Sequence, residues 1–215
     1  MLSIGKESNK IQIKKFDVTS MYQNASIIVL GKDECPTSVL EQYKNIQSCY
    51  VISRNMLSKQ IYTNIFPNVT VHSHDDSNIF NDILKHQKEM MNTGKPEQTM
   101  IILDYRYCDD IVWKNEALRE ILFNGRHYNI TYIMMIQIYT NIVPSLRSCF
   151  DYILMENTDN ICEQRKLYNY YAGMFSTFDN FFEVYVHIIK NNYIMVLDRH
   201  NNSASQEISD KVFYL

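Results

Sequence analysis

The sequence predicts an α/β domain with a mostly parallel central sheet and helices on both faces. Three observations predict it. Short apolar, β-branched runs recur along the chain, clearest at Ser26–Leu30 and at residues 100–104, and they are continuous enough to be strands buried on both faces. Segments with apolar residues at helical spacing alternate with these runs, the pattern of a sheet wrapped by helices. The 215 residues contain no internal repeat, no low-complexity stretch and no linker, so one domain with a substantial core is expected.

Taken in order, residues 1–15 are expected as a polar N-terminal segment, loose over its first ten residues, with a short alternating strand at 11–13. The domain proper spans 16–215, with a connector leading to the opening strand at 26–30. A helix follows at 38–46, a strand at 49–53, a helix at 55–65 stopped before Pro67, and a short strand at 69–72. Asp75, Asp76 and Ser77 read as a capping region. The helix after them carries Ile79, Phe80, Ile83 and Leu84 on one face, runs to about residue 91 and stops at Asn92-Thr93-Gly94. Residues 100–104 form a buried strand, 113–124 a helix with Ala117, Leu118, Ile121 and Leu122 on one side, and 130–137 the next strand. A short helix or turn starts at Pro144. A strand at 151–155, helices at 161–171 and 178–187, and a strand at 193–198 that closes the sheet complete the pattern. The tail from His200 is polar until Val212-Phe213-Tyr214.

Composition narrows the function classes. The net charge of −3 gives no overall basic footprint for nucleic acid, so a DNA contact would need a local patch or an assembled ring. Five glycines lie well below the usual ~7%, which fits a loop that has lost its glycines and equally a codon bias toward AT. Cys35, Cys49, Cys108, Cys149 and Cys162 include no C-x-x-C pair, which argues against zinc and for small buried hydrophobes in a reducing compartment. His72 and His74 alternate at a strand end, where a polar loop is the more economical reading than a metal pair. No apolar run is long enough for a membrane span, and the N-terminus does not read as a secretory signal.

The stretch from Ser26 to Tyr43 has the outline of a strand, a phosphate-binding loop and a helix start. The pattern G-x-x-x-x-G-K-[ST] begun at Gly31 places its hydroxyl on Ser38. Gly31 and Ser38 are present, but Pro36 stands at the second glycine and Thr37 at the lysine. Proline removes a backbone N–H that such a loop aims at phosphate, and threonine cannot supply the ammonium that neutralises the β- and γ-phosphates. Asp33 and Glu34 add negative charge, and Lys32 is the one cation of the loop.

Further along, an apolar strand ends in Asp104. Asn124-Gly125-Arg126-His127-Tyr128-Asn129-Ile130 then leads into a strand ending in Gln137, and Pro144-Ser145-Leu146-Arg147-Ser148-Cys149-Phe150-Asp151-Tyr152 follows. Together with residues 167–178, Leu197-Asp198 and the final Val212-Phe213-Tyr214, this resembles the genome-packaging ATPases of large nucleocytoplasmic DNA viruses, in the FtsK–HerA branch of P-loop NTPases. The resemblance extends from about residue 16 to the end, and the Asn-Gly-Arg-His block with its glutamine is its specific part. It implies a three-layer RecA-like P-loop NTPase fold and ATP hydrolysis with Mg²⁺. A homo- or hetero-oligomeric ring acting on double-stranded DNA is implied as well, in an infected-cell virus factory or a virion and without a membrane.

The resemblance also implies roles. Gly31, Lys32, Thr37 and Ser38 mark the degenerate nucleotide-binding loop, and Asp104 the acid that orders the Mg²⁺ shell. Gln137 marks the γ-phosphate sensor, and Arg126 and Arg147 are candidates for reaching a neighbouring subunit's nucleotide. Tyr105 stands where a second acid, the one that polarises the attacking water, is expected; Asp109 and Asp110 are the acids that follow. Each retained residue also has a plain structural use: a turn cap for Asp104, a fold or interface contact for Arg126, a backbone partner for Gln137. Three functions remain open on these residues. One is a packaging-ATPase homologue with impaired catalysis. The second is a working ATPase that uses Lys32 and Asp109 or Asp110. The third is a non-catalytic structural or adaptor protein of the virion.

Overall fold

The computed structural model of the chain describes residues 2–4, 11–32, 34–53, 58–72, 78–95, 97–104, 115–137, 142–200 and 207–215. Among them lie strands β1 (Leu2–Ile4), β2 (Ile11–Lys15), β3 (Ser26–Leu30), β4 (Ser48–Ser53), β5 (Val69–His72), β6 (Thr99–Asp104), β7 (Ile130–Ile136), β8 (Tyr152–Met155), β9 (Met195–Asp198) and β10 (Val212–Tyr214). The helices are α1 (Thr37–Gln42), α2 (Ser58–Ile65), α3 (Ile79–Asn92), α4 (Glu116–Asn124), α5 (Pro144–Arg147), α6 (Ile161–Tyr171) and α7 (Phe178–Lys190).

The strands form one sheet in the order β1-β2-β10-β9-β8-β3-β7-β6-β4-β5. From β8 to β5 every pairing is parallel. β9 runs antiparallel to both its neighbours, β10 is parallel to β2, and β1 is antiparallel to β2. Successive strand side chains point to opposite faces, and the core divides accordingly. Ile28, Leu30, Ile101, Leu103, Tyr132 and Met134 face α3, α4, α6 and α7. Ile27, Val29, Val51, Ile102, Ile133 and Met135 face α1 and α2. These are the three layers that the sequence predicts.

The differences from expectation have local causes. The N-terminal segment contributes two strands, β1 and β2. β2 extends to Lys15 because Lys14 and Lys15 pair with Phe213 and Tyr214, a partner nearly 200 positions away that the local pattern does not reveal. The strand at 193–198 does not close the sheet, because β10 pairs beyond it. α1 ends at Gln42 rather than at residue 46. The chain must turn there to enter β4, and Gln47 is held by Asn68 Nδ2, which donates to its carbonyl (3.3 Å), and by the Gln98 N–H, which donates to its Oε1 (2.8 Å). α7 continues to Lys190 because buried Ile188 prolongs the stripe of Phe181, Val184 and Tyr185. α4 is described from Glu116, its N-terminus closed by the Asn115 side chain, which accepts from the Leu118 N–H at 2.9 Å. The expected starts of α2 at 55 and α4 at 113, the capping residues Asp75, Asp76 and Ser77, and His74 and Cys108 lie outside the described residues.

Candidate nucleotide site

The parallel strands β3, β7, β6 and β4 end together, and their C-terminal ends gather the loop and acid residues. β3 passes into Gly31, whose N–H donates to the Ile136 carbonyl at the end of β7 (3.1 Å). Gln137 follows β7 directly and is half-buried. Asp104 ends β6, is 2% exposed, and its Oδ2 accepts from the Ser53 hydroxyl at the end of β4 (3.0 Å). The connections from β3 lead to one side of the sheet, while β8 lies on its other side. Such a switch of order is where ligands sit in open α/β sheets.

The loop itself is drawn inward. The Cys35 N–H donates to the Met135 sulfur (3.3 Å), and the Cys35 side chain is buried, its thiol pushed up by burial and by the Glu156 carboxylate. Pro36 caps α1 and has no N–H to give; its carbonyl accepts from Val39 (2.9 Å) and Leu40 (3.2 Å). Thr37 and Ser38 are exposed on the first turn, and Lys32 is exposed at the strand end.

Glu156 went unnoticed in the sequence. It follows β8, its N–H donates to the Leu30 carbonyl (3.0 Å), and its buried side chain packs against Gly31 so closely that a Cβ on Gly31 would lie 2.6 Å from the Glu156 Cβ and overlap its carboxylate. The signal was present: Glu156 ends a buried apolar strand as Asp104 does. Glu156, Glu34 and Pro36 line a cleft of about 330 Å³ with Asn157, Asn192 and Tyr193.

Against this geometry, Asp104 and Ser38 have the donor chemistry for hydrated Mg²⁺. The phosphates of a nucleotide fit less well. One N–H is missing at Pro36, another is turned to Met135, no lysine stands at position 37, and a carboxylate lies over Gly31. Tyr105, Asp109 and Asp110 lie outside the described residues.

The two arginines lie elsewhere. Arg126, in the 3₁₀ turn Gly125–Tyr128, donates to Asp151 Oδ1 at 2.9 Å. Asp151 Oδ2 accepts from the Ser26 N–H (2.9 Å) and hydroxyl (2.5 Å) at the start of β3. Burial acts to lower the Arg126 pKa, but the Asp151 carboxylate outweighs it and the net shift is upward. Arg147 ends α5, stacks on the Tyr170 ring at 3.6 Å and donates from Nε to the Ile142 carbonyl (3.0 Å). Both therefore belong to the N-terminal end of the parallel strands, about 16 Å from the loop at strand rise. The structure brings Gly31, Lys32, Thr37, Ser38, Asp104 and Gln137 to one end and Arg126 and Arg147 to the other.

This is the architecture of a RecA-like P-loop NTPase, and solved structures narrow it. The genome-packaging NTPase B204 from Sulfolobus turreted icosahedral virus 2, in complex with AMP, superposes with a TM-score of 0.59 at 17% identity, over 90% of this chain and 98% of that one. B204, the DNA-packaging ATPase from Sulfolobus turreted icosahedral virus, gives 0.62 at 18% with the same coverage. The cytoplasmic domain of EssC gives 0.56 at 13%, over 99% of this chain and 43% of that one. The fold is thus that of the viral genome-packaging NTPases. No family model matches the chain. In sequence it is similar to the uncharacterized protein L437 of Acanthamoeba polyphaga mimivirus, 29% identical over 96% of this chain and 77% of that protein. It is also similar to the uncharacterized protein 088R of Invertebrate iridescent virus 3, 23% identical over 97% and 85%.

Proposed function

We propose that the chain is a viral genome-packaging NTPase homologue, a motor subunit whose own nucleotide site hydrolyses ATP weakly or not at all. The observation that carries this reading is the loop between β3 and α1. It stands at the expected place in the sheet, with Asp104 and Gln137 beside it, yet its phosphate-directed groups are depleted. Pro36 and Thr37 replace a donor and a cation, the Cys35 N–H is spent on Met135, and Glu156 lies against Gly31. Catalysis of phosphoryl transfer is mostly positioning and charge stabilisation, so losing such groups costs orders of magnitude in rate.

B204 structures in complex with AMP, AMPPCP and ATP-γS favour nucleotide binding by this fold. In this chain Asp104 and Ser38 would hold the magnesium shell, and Gln137 would face the terminal phosphate. The motor reading includes a homo- or hetero-oligomeric ring around double-stranded DNA, in which Arg126 and Arg147 serve a neighbouring subunit. It belongs in the infected-cell virus factory or the virion, as the viral origin of the similar sequences supports.

The test is calorimetric titration of ATP and Mg²⁺ into the purified chain, with the Ser38→Ala/Asp104→Ala double variant as control, followed by turnover. Weak binding that the double variant loses, with turnover far below about 1 s⁻¹, is expected. Turnover at or above that rate overturns the impaired-site reading. If Lys32→Ala then abolishes it, the working-ATPase reading replaces it.

A further inference from the structure

At the sheet end opposite the loop lie three guanidiniums, and among the described residues only that of Arg126 meets a carboxylate. Arg126 pairs with Asp151. Arg199, just after β9, donates from one terminal nitrogen to the Arg147 carbonyl and from the other to the Tyr171 carbonyl, both at 2.8 Å. Arg147 is held by the Tyr170 ring and the Ile142 carbonyl. Neither Arg147 nor Arg199 pairs with a carboxylate among the described residues. The flanking stretches 138–141 and 201–206 contain no Asp or Glu in sequence. Tyr171, at the end of α6, is 1% exposed; its hydroxyl is buried without a hydrogen-bond partner among the described residues, and it feels the charge of both arginines.

Partly buried guanidiniums that face only main-chain carbonyls and rings carry charge that no carboxylate among the described residues compensates, and both keep unused N–H donors. Their fork geometry suits oxyanions, and the Tyr171 hydroxyl, near enough to feel both charges, is a further donor. A phosphate group, with more oxygens than a carboxylate, can use donors from three elements at once. We propose that Arg147, Arg199 and Tyr171 form a phosphate-group site separate from the loop. The site deepens the packaging reading and rests on it for Arg147, but it adds Arg199 and Tyr171 and needs neither the loop nor hydrolysis in this chain. Its phosphate comes either from a free or nucleotide-borne polyphosphate or from a nucleic-acid backbone.

The test is thermal unfolding and calorimetry of the full chain with sodium pyrophosphate, together with fluorescence anisotropy of a labelled short DNA duplex. For at least one probe, Arg147→Gln and Arg199→Gln are expected to weaken binding about tenfold, the loss of a charge-assisted hydrogen bond. Tyr171→Phe should weaken it less, and Ser38→Ala/Asp104→Ala should leave it unchanged. If Arg199→Gln does not fold, Arg147→Gln and Tyr171→Phe carry the test, since each spares the Arg199 contacts. Pyrophosphate binding with these dependences assigns a polyphosphate, and DNA binding displaced by pyrophosphate assigns a backbone. Binding of neither probe at millimolar concentration overturns the site. So does binding that Ser38→Ala/Asp104→Ala abolishes while Arg147→Gln preserves it. The loop variant thereby separates failure of this site from failure of the nucleotide reading.

Discussion

Asp151 organises the N-terminal end of the sheet. Its carboxylate takes two bonds from Ser26 and one from Arg126, and its own N–H donates to the Ser26 carbonyl at 2.8 Å, fixing β8 against β3. The sequence showed Asp151 only as part of a resemblance; its partner Ser26 is 125 positions away, and no local spacing reveals such a pair. Asp151→Asn keeps the shape but weakens the charge-assisted bonds, and is expected to cost about 2–3 kcal/mol in urea unfolding. Arg126→Ala should cost about 1 kcal/mol or less, because the Arg126 side chain is 45% exposed and its ion pair is screened. Equal costs would contradict this ordering. The cysteines make a second residue-scale prediction. Burial pushes the Cys49 thiol up to about 12 and the Cys35 thiol higher still, whereas Cys162 is exposed. Thiolate is the reactive form. At mildly alkaline pH, alkylation followed by mass spectrometry should therefore mark Cys162 in the native chain, and Cys35 and Cys49 only after unfolding. Rapid native labelling of Cys35 would mean that the loop opens readily.

At the scale of elements, the buried parallel strands were legible because their apolar runs are unmixed. α6 was legible to the residue because Asn160 starts it and its apolar spacing ends with it. α1 was less so, since its length is set by where the chain must turn for β4. The β3–loop–α1 unit has only the outline of a phosphate loop in Gly31 and Ser38, a weak match by itself, and it was the resemblance of the rest of the chain that marked it; the inward draw of the loop was not legible at all. Met135 and Glu156 come from β7 and the end of β8, and only the sheet order brings them to the loop. Gly31 is a glycine here because of that close approach. Gly31→Ala would force the Glu156 side chain and its Cβ to move, and is expected to destabilise the chain by about 1–3 kcal/mol, the range for overpacking a tight site. Adding Glu156→Gly should recover much of that loss by clearing the space. If Gly31→Ala alone unfolds at the wild-type urea midpoint, Glu156 does not sit against the loop in solution.

For the whole molecule, the question is what joins the two ends of the chain. β10 pairs with β9 on one side and β2 on the other, the Phe16 N–H donates to the Tyr214 carbonyl at 2.8 Å, and Leu215 and Ile194 exchange main-chain bonds at 2.9 Å. Ile13 of β2 is fully buried in the same core layer as Val212, Leu197 and the apolar stripe of α7. The first fifteen residues read as polar because Gln12, Lys14 and Lys15 are exposed, and one buried isoleucine is too small a signal to declare a core strand. Removing residues 1–15 would take Ile13 from the core and leave β10 as an unpaired edge. Loss of that one side chain alone costs about 2–5 kcal/mol, and an exposed edge strand invites self-association. The truncated chain is therefore expected to unfold at a clearly lower urea concentration, in a single transition, and to aggregate at concentrations where the full chain stays monodisperse by light scattering. Ile13→Ala should reproduce the stability loss without the aggregation, because it keeps the strand in place. A truncated chain with an unchanged midpoint would mean that β1 and β2 are laid against a domain already complete at residue 16; a shared shift would make the two termini one cooperative part of the sheet.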